Sequence, residues 1–223
     1  MKVIELLEDS YSAKEHREKD PAAIAKLLEK ECSTFVGAYR STHKPIFRGI
    51  KELKGKAVHF AEASIRPDRM PIFMPAKQHA LINDAMMNLG LKAHRGNSIF
   101  CTTSRLTAED WGDIYTIFPV DGWVGTIFQK VKYGYVFDEI HDQSDEILMK
   151  HENEPYDVKV AAMADVLKRL KPHSFSSQGD LEIVIREEYD DILITGKKYY
   201  ALSMQLSGDP TPESNEVFAA LGI

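Results

Sequence analysis

Pro45-Ile46-Phe47-Arg48-Gly49-Ile50 is the stretch on which the fold turns. The polar run Ser41-Thr42-His43-Lys44 and Pro45 break whatever helix comes before it. The apolar residues that follow predict a short strand. Gly49 near its end predicts a place where another backbone passes close, because a glycine inside a strand gives up packing for proximity.

Working back from that strand, Asp20-Pro21 reads as a helix start, with Asp as the cap and Pro at the first helical position. Ile24, Leu27, Leu28, Cys32, Phe35, Val36 and Tyr39 continue at helical spacing and predict one helix to about Arg40. Residues 1–20 are charged and predicted to be loosely attached. Working forward, 51–75 reads as irregular, centred on the loop Arg66-Pro67-Asp68-Arg69-Met70-Pro71. A helix is expected from Pro75 to Leu89, stopped by Gly90. Strands are expected over Asn97–Thr103, Asp113–Pro119 and Val124–Val131, with a short helix around Thr107–Trp111 ended by Gly112.

Residues 138–154 are acidic and polar and read as a surface excursion. Val158–Leu170 has helical amphipathicity and stops before Lys171-Pro172. Ser176 or Ser177 is a candidate cap for a helix over about Gly179–Tyr189. Ile192–Ile194 and Tyr199–Leu202 read as a hairpin about Gly196-Lys197, and a last helix is expected near Ser214–Leu221. Helices and strands mixed without repeats predict a single α+β domain, residues 45–204, with a helical segment at 1–44 and a tail at 205–223.

Composition narrows the function classes. With 43% hydrophobic residues in 223, the chain can bury a real core. The net charge is −6 and no basic stripe occurs, which argues against binding a nucleic-acid duplex over a broad face. Two distant cysteines, Cys32 and Cys101, do not make a disulfide framework and suit a reducing compartment. No run approaches a membrane span. The start carries acids where a signal peptide needs an apolar stretch. His141-Asp142-Gln143-Ser144-Asp145-Glu146 and His151-Glu152 match no zinc spacing, so no metal is expected. The absence of a P-loop or G-x-G-x-x-G argues against Rossmann-type dinucleotide binding.

Three segments carry the candidate chemistry: Phe47-Arg48-Gly49, Phe100-Cys101-Thr102-Thr103-Ser104 and Asp190-Asp191-Ile192-Leu193-Ile194. In that order they resemble the R-S-E pattern of mono-ADP-ribosyltransferases, which split NAD at the nicotinamide bond. Residues 45–203 also resemble a group of tailed-bacteriophage proteins. That likeness rests on the Arg66-Pro67-Asp68-Arg69-Met70-Pro71 loop, on Arg95-Gly96-Asn97-Ser98-Ile99-Phe100-Cys101-Thr102, on Gly112-x-x-Tyr115-x-Ile117-Phe118-Pro119 and on Tyr199-Tyr200-Ala201.

The first resemblance implies split antiparallel sheets with flanking helices and NAD as substrate. Arg48, beside Gly49, would hold the dinucleotide, and Thr102 and Ser104 would line the nicotinamide ribose. Asn97 and Ser98 precede the presumed active strand. Asp191 stands where the family has its catalytic glutamate, with Glu188 as the other candidate acid and Tyr189 where acceptor-selecting residues often stand. The acceptor would be a host protein or nucleic acid, met in the host cytoplasm. A non-catalytic host-takeover or virion-associated role on the same fold is one alternative, and simple hydrolysis of NAD at the same site, with no acceptor, is another.

Each residue also has a plainer reading. Arg48 suits a surface ion pair, Thr102-Thr103-Ser104 ordinary strand-end chemistry, and Asp191 a solvated strand start. Arg66, Asp68 and Arg69 suit a structural salt-bridge loop or else a phosphate clamp. Trp111 and Tyr115 suit the core.

Overall fold

A computed structural model describes residues 13–50, 59–69, 74–128, 136–205 and 210–223. The readings that fall on 1–12, 51–58, 70–73, 129–135 and 206–209 lie outside these residues.

The N-terminal helical pattern divides in two. α1 spans Pro21–Glu31, with the Asp20 side chain accepting from Ala23 N, and α2 spans Ser33–Thr42. Between them Cys32 leaves helical geometry (φ −129°, ψ 34°). The apolar spacing does not register that break, because both helices turn their apolar faces to one core. The expectation that residues 1–20 are loosely attached needs correcting at 13–15. β1 (Ala13–Glu15) pairs antiparallel with β3 (Phe60–Ser64), which itself lies in the stretch read as irregular.

β2 covers Phe47–Ile50, α3 Ala76–Asn88, β4 Ile99–Cys101, α4 Arg105–Trp111, β5 Asp113–Pro119 and β6 Val124–Ile127. The acidic run read as a surface excursion is instead α5, Val136–Lys150. Its acids lie among Val136, Phe137, Ile140, Ser144 and Ile147, which recur at helical spacing and are buried. α6 (Tyr156–Arg169), β7 (His173–Phe175), α7 (Gln178–Arg186), β8 (Ile192–Thr195), β9 (Lys198–Ser203) and α8 (Pro212–Leu221) complete the order.

The described strands form two open antiparallel sheets, ordered β1-β3-β9-β5-β2 and β4-β8-β6-β7. β8 and β9 therefore do not form the expected hairpin. The Gly196-Lys197 connection carries the chain from one sheet to the other. Local sequence marks the turn but does not say which neighbour each strand will pair with.

Two apolar clusters flank the four-stranded sheet. Ile99, Cys101, Ile192 and Ile194 face the first, shared with α1, α2, α7, α8 and the five-stranded sheet. Phe100 and Leu193 face the second, shared with α3, α5 and α6. Alternate side chains of β4 and β8 are thus buried on opposite faces, which is why Ile192-Leu193-Ile194 is an unbroken apolar run.

Candidate functional site

The five-stranded sheet ends at β2 and the four-stranded sheet at β4, and these two edges meet. Phe47 and Thr102 form an antiparallel bridge, with Phe47 N donating to Thr102 O at 2.7 Å and Thr102 N to Phe47 O at 2.9 Å. β4 in turn pairs with β8, Cys101 opposite Ile192. Thr103 extends the contact, donating from both N and Oγ1 to the Tyr189 carbonyl oxygen. The three segments singled out in the sequence, far apart along the chain, are therefore contiguous at one junction.

Arg48 sits at the centre of β2, opposite Tyr115 in β5. It is 1% exposed, and its Nη1 donates to the Phe100 carbonyl oxygen at 2.6 Å. The surface-arginine reading is thereby excluded. Gly49 meets the expectation of a close approach. A Cβ there would lie 2.1 Å from the Ala108 carbonyl oxygen and 2.6 Å from the Trp111 Cβ, so α4 packs directly on β2 at this point.

Thr102 is buried, and its Oγ1 accepts from Ser104 N at 2.9 Å. Ser104 caps α4 by accepting from Thr107 N at 3.3 Å. Asn97 shapes the approach to β4. Its Oδ1 accepts from His94 N and from Ser98 Oγ, both at 2.9 Å, and its Nδ2 donates to Lys92 O at 2.8 Å. Trp111 and Tyr115 are core residues.

Asp191 is 8% exposed, which corrects the solvated strand-start reading. It lies two residues before Leu193 and so on the same face of β8, toward the second cluster. There its Oδ2 accepts from Phe137 N, in the first turn of α5, at 3.5 Å. Burial pushes the carboxyl up to about 7, and Asp190 and Asp138 add to the rise. The backbone N–H groups of Phe137 and Val136 act in the other direction, since they favour the charged form. A carboxyl that titrates near neutrality beside a helix N-terminus is chemically versatile.

Glu188 is placed differently. α7 ends at Arg186, and Glu188 follows in the left-handed region (φ 58°). Its carboxylate is exposed and pairs with Lys44 Nζ at 2.7 Å.

Sequence reasoning missed a cluster around Phe100. Arg69 and Arg95, both buried, place their guanidinium carbons 5.3 and 5.1 Å from the Phe100 ring centroid. Arg95 also lies 5.1 Å from the Phe137 ring, and the two rings meet edge to face at 4.9 Å. Arg69 Nη1 donates to the Ser98 carbonyl oxygen. The expected salt-bridge loop forms only in part, as Arg66 pairs with Asp68 at the surface while Arg69 turns inward. The sequence puts Arg95 in one motif with Phe100, but nothing in it marks Arg95 or Phe137 as packing on that ring.

Among the described residues no cluster of histidine, cysteine or acidic side chains has the arrangement to hold a metal ion. No helix among them is long and apolar enough to cross a membrane. No family model matches the chain, and searches of curated proteins and of solved structures return no significant match.

Proposed function

We propose that this chain is an ADP-ribosyltransferase-like protein that takes NAD at the β2–β4–β8 junction and transfers ADP-ribose to a host protein or nucleic acid. The observation that carries the reading is the convergence of the Arg48, Thr102 and Asp191 segments through the Phe47–Thr102 bridge and the Cys101–Ile192 pairing. In this reading Arg48 holds the dinucleotide, since a planar guanidinium pairs two-point with phosphate. Thr102 and Ser104 line the nicotinamide ribose, with Asn97, Ser98 and Gly49 shaping the backbone around them. The Asp191 carboxylate stabilises the positive charge that develops on the ribose.

Nicotinamide departs with the glycosidic electron pair. The acceptor's nucleophile then attacks the ribose carbon and loses its proton. Asp191 is preferred over Glu188 because the Glu188 carboxylate is exposed and already paired with Lys44. A burial-raised carboxyl becomes charged only as pH passes about 7, so turnover should rise through neutrality.

A second reading is favoured by a specific observation. Arg48, Thr102 and Asp191 are all buried, and each bonds inside the protein. These are contacts that also serve a binding protein with no chemistry, either host-directed or virion-associated. Nicotinamide release from NAD by the purified chain, with and without bacterial lysate, separates the two. Release that vanishes in Asp191→Asn supports NAD cleavage at this site, by transfer where lysate raises it and by hydrolysis where lysate does not. No release, together with a stoichiometric lysate partner captured without NAD, supports the binding role.

A further inference from the structure

The end of α2 and one face of α8 line an open groove of about 430 Å³. Tyr39 and the capping residue His43 come from α2. Asn215, Phe218 and Ala219 come from α8, at the spacing that puts them on one helix face. None of the residues placed at the β2–β4–β8 junction lines this groove.

The walls are fixed by contacts within the protein. Arg40 donates from Nε to the Leu221 carbonyl oxygen at 2.6 Å and pairs with Glu29, which ties α2 to the end of α8. The Tyr39 ring meets Phe218 edge to face at 5.6 Å. A preformed cleft of a few hundred Å³, apolar with a few polar groups, is the usual form of a small-molecule site.

The lining selects for an uncharged ligand. Phe218, Ala219 and Ile223 offer apolar surface to a flat ring. Burial pushes the Tyr39 phenol up to about 12, so its O–H remains a donor at neutral pH. Among the described residues that line the groove there is no lysine, arginine, aspartate or glutamate, and Arg40 is already engaged with Leu221 and Glu29. A phosphate or carboxylate would therefore meet no matching charge. The Asn215 amide holds a donor and an acceptor side by side, and such an amide pairs two-point with the N6/N7 edge of adenine.

We propose that this groove binds an uncharged purine nucleoside of the adenine type. Asn215 reads the base, and the Tyr39 and His43 side chains meet the ribose hydroxyls. The proposal stands apart from the NAD reading, since no residue of the junction takes part.

The test is calorimetric titration of the full chain with adenosine, inosine and AMP, repeated on Asn215→Asp and Ala219→Leu. Inosine carries a carbonyl where adenosine has its amino donor. Adenosine should bind on the order of tenfold tighter than inosine, and AMP no tighter than adenosine. Asn215→Asp keeps the shape but loses the amide donor, and should remove most of that preference. Ala219→Leu fills the groove and should abolish binding. Both are exposed positions on α8, where an acid near the helix start and a leucine are each compatible with the helix. No binding, or equal affinity for adenosine and inosine, overturns the proposal. So does AMP binding tenfold tighter than adenosine, or binding undiminished in both variants, which places the nucleoside elsewhere. Nicotinamide release without adenosine binding defeats the groove alone, and adenosine binding without nicotinamide release defeats transfer alone.

Discussion

Arg48 Nη1 donates to the carbonyl oxygen of Phe100 at 2.6 Å, joining the edge strand of one sheet to the edge strand of the other. An exposed strand edge invites wrong pairing. Here the two edges cover each other through the Phe47–Thr102 bridge, and a buried charged donor closes the contact.

Arg48→Ala should therefore cost stability before it costs anything else. A hydrogen bond from a charged donor is worth roughly 1.5–3 kcal/mol, and the lost side chain leaves a gap as well. Urea unfolding should show a loss of at least about 2 kcal/mol, with Arg48→Lys less affected. An unchanged midpoint in Arg48→Ala would mean that the sheets are held together elsewhere.

Two glycines make a matched pair. Gly49→Ala puts a Cβ 2.1 Å from the Ala108 carbonyl oxygen, a backbone atom that has no rotamer to move to. α4 must shift, at a cost of roughly 1–3 kcal/mol or more. Gly179, in the first turn of α7, has nothing within 4 Å of an added Cβ, so Gly179→Ala should be neutral or stabilising by up to about 1 kcal/mol. Thermal melting of the two variants should move in opposite directions or leave Gly179→Ala unmoved.

Asp191 sets a pH dependence with a defined sign. Its folded carboxyl titrates at about 7, above the 3.8 of an unperturbed aspartate, so between these values the native state holds the proton more often than the unfolded state. Its contribution to stability is therefore full below about pH 4 and is lost as pH rises to about 7. Asp191→Asn keeps an acceptor for Phe137 N and cannot ionise. Relative to the unaltered chain it should gain stability by a few kcal/mol, order of magnitude, at pH above about 7, and little at pH near 4. Chemical denaturation at both pH values measures the difference. A pH-independent difference would show that the carboxyl is not strained by burial.

Glu188→Gln breaks the exposed pair with Lys44, so its stability should stay within about 1 kcal/mol. Nicotinamide release should also be unchanged if Asp191 is the acid. A large fall in release with the fold intact would move the catalytic role to Glu188.

Much of the fold could be read where local chemistry decides it. The Asp20-Pro21 start of α1, the span of β5 and the stop of α3 ahead of Gly90, which takes φ 74°, all follow from caps, apolar runs and glycine. The reading failed where pairing at a distance decides. Cys32 breaks a helix whose two halves share one apolar face, and β8 and β9 part into different sheets across two residues. The acids of α5 obscured a buried face at helical spacing, made by Phe137, Ile140 and Ile147 with the small Ser144 among them.

The candidate site divides the same way. The order of the Arg48, Thr102 and Asp191 segments was visible, and their contiguity now has a structural form. What held each side chain was not visible, because the Phe100 carbonyl, the α5 N-terminus and the Arg69–Arg95 cluster become neighbours only through tertiary packing.

The most direct test of the central claim is nicotinamide release from NAD by the purified chain and by Asp191→Asn, followed from about pH 6 to about pH 8. The proposed chemistry requires release that climbs through neutrality and disappears in the asparagine variant while NAD binding persists. Release equal in both proteins, or absent at every pH with lysate supplied, contradicts it.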